Sequence, residues 1–175
     1  MPHAAARVLI AGVGNALQGD DGFGVALANR LMSHTPLPAA VKVIETGIGG
    51  MALVQELMHG YEALLVADAY RRGGVPGDVY LLAPELPDLS DLDAHQLRDY
   101  FSDTHYATPM RALGLVARLG KLPPLVRIIG CEPAGVEGLR IGLSPAVEAS
   151  MEKATRMAID WAVDYLRESE GRGES

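Results

Sequence analysis

The fold class predicted by this sequence is a three-layer α/β/α sandwich around a mostly parallel five-stranded sheet with one antiparallel edge strand. Three observations predict it. Short β-branched runs alternate with longer helical ones along the chain. The third run, "EALLVADA" (62–69), is almost wholly apolar, as expected of a strand covered by helices on both faces. The first strand breaks into glycines and resumes as a helix, "LIAGVGNALQGDDGFGVALANRL" (9–31), the strand–turn–helix connection of open parallel sheets.

Taken in order, "RVLIAG" (7–12) reads as a buried strand and "GFGVALANRLM" (22–32) as the amphipathic helix after it. "VKVIET" (41–46) is a second strand, and "GGMALVQELMHG" (49–60) a helix closed by Gly60. After the third strand, "GDVYLLA" (77–83) is a fourth. Only about ten residues separate the two, too few for a helical crossover, so the fourth strand is expected antiparallel to its neighbour and at an edge. The stretch 84–104, rich in Asp, Leu and Pro, is expected to cross the surface irregularly. An apolar helix follows over 108–119, with Thr104 or Asp103 as its cap. "LVRIIGC" (125–131) is a fifth strand, and 144–169 a long final helix with Ser144 as N-cap and Pro145 at its first position. Residues 1–169 thus form one α/β domain, and the tail 170–175 is expected to fray.

Composition narrows the function classes. At 175 residues the chain can bury about two-thirds of its unfolded surface. A hydrophobic fraction of 49% excludes bulk disorder. The net charge of −7, with no Lys/Arg cluster, argues against a nucleic-acid partner. Cys131, the single cysteine, excludes an intramolecular disulfide and fits a reducing compartment. The apolar run near the start is short and leads straight into the glycine loop, unlike a signal peptide. No apolar run approaches the roughly twenty residues of a membrane span. A soluble, cytoplasmic monomer is expected.

The loop "GVGNALQGDDG" (12–22) lies beyond the carboxyl end of the first strand, where open sheets bind ligands. Its glycines, Gly12, Gly14 and Gly19, do not have the dinucleotide spacing G-x-G-x-x-G, and there is no P-loop lysine. A helix N-terminus attracts anions. Here that attraction falls on Asp20 and Asp21, which repel a pyrophosphate and stay ionised to accept a cation. One of the pair is expected to cap the helix, leaving the other free as a ligand. Asp68 follows five apolar residues at the end of the third strand, as a turn residue or a second ligand. His105, at the entry of the 108–119 helix, and His95, in "DLDAHQL", compete as an imidazole ligand. His3 precedes the first strand, and His34 and His59 sit at helix C-termini, where imidazolium suits the dipole. Two carboxylates and an imidazole suit a borderline divalent ion such as nickel or zinc, with positions left open. Cys131 reads as structural, because Glu132 beside it raises its pKa and Pro133 opens no helix. No G-x-S-x-G nucleophile elbow occurs.

With these residues assembled, the chain resembles the hydrogenase maturation proteases, the endopeptidases that trim the large subunit of nickel–iron hydrogenases. The resemblance runs from about Val8 to the final helix. It rests on "GVGNALQGDDGFGV", "ETGIGGMALV", "LLVADA", the spacing from His105 through Gly120 to "LPPLVRIIGCEP", and "GLSPAVEASME". It implies a metal held by Asp21, Asp68 and His105. The first position is often glutamate in the family, and the shorter aspartate keeps the charge while altering the bite. It favours His105 over His95, which falls in the family's variable stretch. It further implies removal of a C-terminal extension from the hydrogenase large subunit precursor after nickel insertion, with nickel supplied by the substrate and serving partly as a recognition element. A metal-polarised carbonyl or metal-bound water would suffice chemically; no separate general base stands out, and Asp20 is a possible helper. Two other readings stay open. One is a nickel-sensing chaperone or docking factor that binds the same precursor without cutting it. The other is a nucleotide-binding protein with Glu45 on the ribose, against which the glycine spacing and the Asp20–Asp21 pair both count.

Overall fold

The computed structural model describes residues 7–34, 36–102 and 108–173. Five strands, β1 (Val8–Val13), β2 (Val41–Gly47), β3 (Ala63–Ala69), β4 (Val79–Leu82) and β5 (Leu125–Cys131), form one sheet in the order β2-β1-β3-β5-β4. All neighbours are parallel except β4, which runs antiparallel to β5 at the edge. The predicted fold class is therefore the observed one.

The strand sequences explain the layering. Every residue of β1 is buried, and successive side chains point to opposite faces. Val8 and Ile10 pack with Phe23, Leu27 and Leu31 of helix α1 (Phe23–His34) and with Val147 and Met151 of helix α5 (Pro145–Gly173). Leu9, Ala11 and Val13 face the other way, toward Leu53 and Leu57 of α2 (Gly50–Leu57) and Leu113 and Val116 of α4 (Pro109–Arg118). Each large side chain so buried contributes roughly 2 kcal/mol of apolar transfer. α1 lies directly on the sheet because position 24 is glycine: a Cβ there would stand 2.0 Å from the Ala67 carbonyl oxygen and 2.4 Å from that of Val13.

Several boundaries differ from expectation for identifiable reasons. Helix α3 (Ala94–Ser102) occupies part of the stretch expected to be irregular. The Asp93 carboxylate accepts from the Gln96 N–H at 2.8 Å, and the Gln96 side chain accepts from the Asp93 N–H at 2.9 Å. That reciprocal cap is a D-x-x-Q variant of the capping box, which composition alone concealed. Helix α4 is capped by Thr108, not by Thr104 or Asp103: the Thr108 hydroxyl accepts from the Arg111 N–H, and Pro109 takes the first helical position. Ser144 caps α5 as expected, accepting from the Val147 N–H at 3.4 Å. The helix itself continues past 169 to Gly173. Among the described residues no helix is long and apolar enough to cross a membrane.

Candidate functional site: an acidic cleft at the carboxyl edge

The loops leaving β1 and β2, the end of β3 and the starts of α2 and α4 meet around a cleft of about 430 Å³. Its walls include Asn15 and Asp21 after β1, Thr46 and Ile48 at the end of β2, Asp68 near the end of β3, and Thr108 and Pro109. Asp21 and Asp68, 47 positions apart in sequence (68 − 21), are thus brought together as the sequence led one to expect. Gly14 makes this possible. Its φ of +123° belongs to glycine, and a Cβ there would lie 1.9 Å from the Asp21 carbonyl oxygen and 3.8 Å from Asp68 Oδ1. The loop consequently folds back across the strand end, and Asp21 Oδ2 accepts the Asn15 N–H at 2.8 Å.

The electrostatics of the pair suit a cation. Burial is the main force on Asp68, and the Asp21 carboxylate adds to it. Together they push the Asp68 carboxyl up to about 7 against the opposing N–H of Ala69. Near neutral pH a proton would therefore compete with any cation for the same oxygens. Two carboxylate donors fit a divalent cation with coordination positions left open.

The other predicted residues separate clearly. His105 lies outside the described residues. Among the described residues, no three of His, Cys, Asp and Glu gather as a metal-holding group. His95 is exposed on α3, paired with Asp99 at 3.1 Å, and lines no part of the cleft. Glu45 is exposed, sits opposite Gly12 in the β1–β2 register, and is likewise absent from the cleft walls, so the ribose role has no support. Cys131 is buried with its Sγ 3.4 Å from the Ser150 hydroxyl. Burial, with added charge from Asp20, Asp78 and Glu132, pushes the thiol up, which fits a structural role.

Asp20 corrects an expectation. Neither aspartate caps α1, which grows instead out of a 3-10 turn, Gly19–Gly22, that has no side-chain cap. The Asp20 side chain points away from the cleft and is 1% exposed. Its Oδ1 accepts the Ser144 N–H at 2.6 Å, and its Oδ2 accepts the N–H groups of Ala134 at 2.8 Å and Gly135 at 3.3 Å. Burial raises the carboxyl, but these amides and the Ser144 hydroxyl outweigh it and hold the group below the usual carboxylate range. Main-chain bonds reinforce the clamp. The Gly19 N–H donates to the Arg140 carbonyl at 2.7 Å, and the Arg140 N–H to that of Leu17 at 2.8 Å. Asp20 therefore anchors the 134–144 loop and the start of α5 and is not a helper in the cleft. Its partners lie 114 to 124 positions away, and nothing local in the sequence marks them.

Comparison with known proteins places this architecture among related chains. A family model described as "Hydrogenase maturation protease" matches residues 25–161. The chain is 32% identical over 167 residues to the hydrogenase 2 maturation protease of Escherichia coli K12, covering 93% of this chain and 92% of the relative. It is 31% identical over 169 residues to the hydrogenase expression/formation protein HupD of Rhodobacter capsulatus, covering 92% of this chain and 75% of the relative. In structure it is similar to the hydrogenase maturating endopeptidase HybD from E. coli, with a TM-score of 0.69, 28% identity and 93% of both chains covered.

Proposed function

Because the chain belongs to the hydrogenase maturation protease family, we propose that it is a nickel-dependent endopeptidase acting on a hydrogenase large subunit precursor. It removes a C-terminal extension after nickel has been inserted. The observation that supports this reading best is the pairing of Asp21 with Asp68 in an open cleft, where their mutual repulsion is relieved by a cation. Nickel arrives with the substrate. Asp21 and Asp68 would hold it together with His105, at the position the family resemblance indicates, and the metal would supply Lewis acidity toward the scissile carbonyl.

The chain's own residues do the rest. Asp68 would hold the cation as a carboxylate, so capture would be favoured as pH rises through about 7. The Asn15 N–H fixes the Asp21 carboxylate in the cleft. Thr46 and Thr108 line the cleft, with their hydroxyls bonded to the Gly12 carbonyl and the Arg111 N–H.

The test is processing of purified precursor in nickel-loaded and metal-free forms, followed by intact mass. Loss of a C-terminal peptide from the nickel-loaded form alone is expected. Equal cleavage of the metal-free form would refute nickel dependence. A stable uncleaved complex would leave the chaperone reading in its place.

A further inference from the structure

We propose that the loops around the cleft form an apolar collar that docks the folded body of the precursor, so that the scissile segment is only part of what is recognised. This rests on the substrate assignment above and extends it from the cleft to its surroundings. The observation is an asymmetry between the two edges of the sheet. The three most exposed large apolar side chains among the described residues are Leu139 at 85%, Ile141 at 83% and Ile48 at 70%. All three lie on loops at the carboxyl edge, and exposed Leu17 and Met51 join them there. Tyr70 and Val75, in the loop leaving β3, add to the same edge. The opposite edge shows Met32, Met58 and Leu119 near the ends of three different helices. An apolar surface concentrated around a candidate site marks an interaction face.

The fold itself has no use for these side chains in the core. Ile48 is held out by the turn between Gly47, with φ +55°, and Gly49, and it lines the cleft beside the carboxylates. Leu17 directly precedes Gln18, another cleft residue. On the far side of that loop, Ile141 lines a second groove of about 220 Å³ with Ala16, Val25 and Leu143. Cleft and groove therefore flank the loop 15–19 from two sides.

The collar is also held in place before any partner arrives. Asp20 ties down Ala134, Gly135 and Ser144, and the Gln18–Arg140 bridge fixes the middle of the loop. Leu139 and Ile141 thus flank an anchored residue, which lowers the ordering cost of association. The spread over four loops exceeds what one peptide in the cleft can cover, so the occupant is a folded surface. Charge narrows it further. Acidic groups line the centre, while the surrounding loops carry charges of both signs, Arg71, Arg72 and Arg140 beside Asp78 and Glu137. The matching partner is an apolar surface with a metal cation at its centre and a polar periphery of mixed charge.

The experiment compares wild type, the double variant Leu139→Ser/Ile141→Ser and the opposite-edge control Met32→Ser/Met58→Ser. Each is assayed for binding to and processing of nickel-loaded precursor, with far-UV CD confirming the fold. The collar variant is expected to raise KM and the dissociation constant at least tenfold while kcat moves less than twofold. The control is expected to match wild type. If the collar variant binds and cuts like wild type, docking is overturned and the protease reading stands. If wild type binds the precursor through the collar and does not cut it, docking stands and the protease reading falls. If wild type neither binds nor cuts, both fall.

Discussion

Asp20 and Asp68 are both withdrawn from water at the same edge of the sheet, yet their surroundings move their acidities in opposite directions. Around Asp20 the 134–144 loop and the start of α5 supply three main-chain N–H groups, and the carboxyl is held down. Around Asp68 a second carboxylate, Asp21, faces the same cleft, and the carboxyl is driven up to about 7. Burial raises both groups; what differs is the set of partners. An aspartate whose oxygens are filled by amides stabilises the fold. One that faces another carboxylate remains available for a cation. The two regions share the 3-10 turn Gly19–Gly22, so a single turn sends Asp20 into the backbone clamp and Asp21 into the cleft.

The largest effects belong to the cleft. Asp21→Ala, Asp68→Ala and His105→Ala are each expected to reduce processing about a thousandfold or more, since a Lewis-acidic metal contributes several kcal/mol to such a reaction. Far-UV CD should remain that of the wild type. His95→Ala, on the exposed face of α3, should process at the normal rate. A fully active Asp68→Ala would end the assignment of the cleft.

The clamp comes next, and its effect is on stability. Asp20→Ala leaves three N–H groups facing a small void and is expected to lower unfolding stability by about 3 kcal/mol. Asp21→Ala, which gives up one hydrogen bond near solvent, should cost no more than about 1 kcal/mol. Urea unfolding with unchanged m-values measures both. Equal losses would erase the distinction between the two aspartates.

Much of this was legible in the sequence. The β-branched runs and the short connection before β4 indicated the sheet and its antiparallel edge. The apolar run ending in Asp68 and the glycine loop with Asp21 indicated the two carboxylates that line the cleft. The role of Asp20 was not legible, because a capping aspartate and a long-range anchor look alike when the partners are backbone amides more than a hundred positions away. Helix α3 was legible in principle through Asp93 and Gln96, but its polar composition hid it. His105 is indicated by the family spacing and lies outside the described residues. The collar was invisible for a different reason: Ile48, Leu139 and Ile141 are ordinary hydrophobic letters, and only their exposure sets them apart.

The smallest expected effect is on the pH dependence of stability, and there the two regions should differ in sign. Asp68 has a folded-state pKa of about 7, above the ordinary 3.8. Folding therefore favours its protonated form, and stability is fully present at low pH and is lost as pH rises from about 4 through 7. Asp20 is shifted the other way, so its contribution is present above the ordinary carboxylate range and is lost as pH falls below it. An amplitude of at least about 1 kcal/mol is expected for Asp68. Unfolding free energies of wild type and Asp68→Asn between pH 4 and 8 are the measurement. The difference should grow in favour of the variant as pH rises and level off near pH 8. Asp20→Asn should show its deficit at pH 7 and approach wild type only in acid. A flat difference for Asp68→Asn would mean that neither burial nor Asp21 raises the Asp68 carboxyl, and the electrostatic reason for a cation at this cleft would be lost.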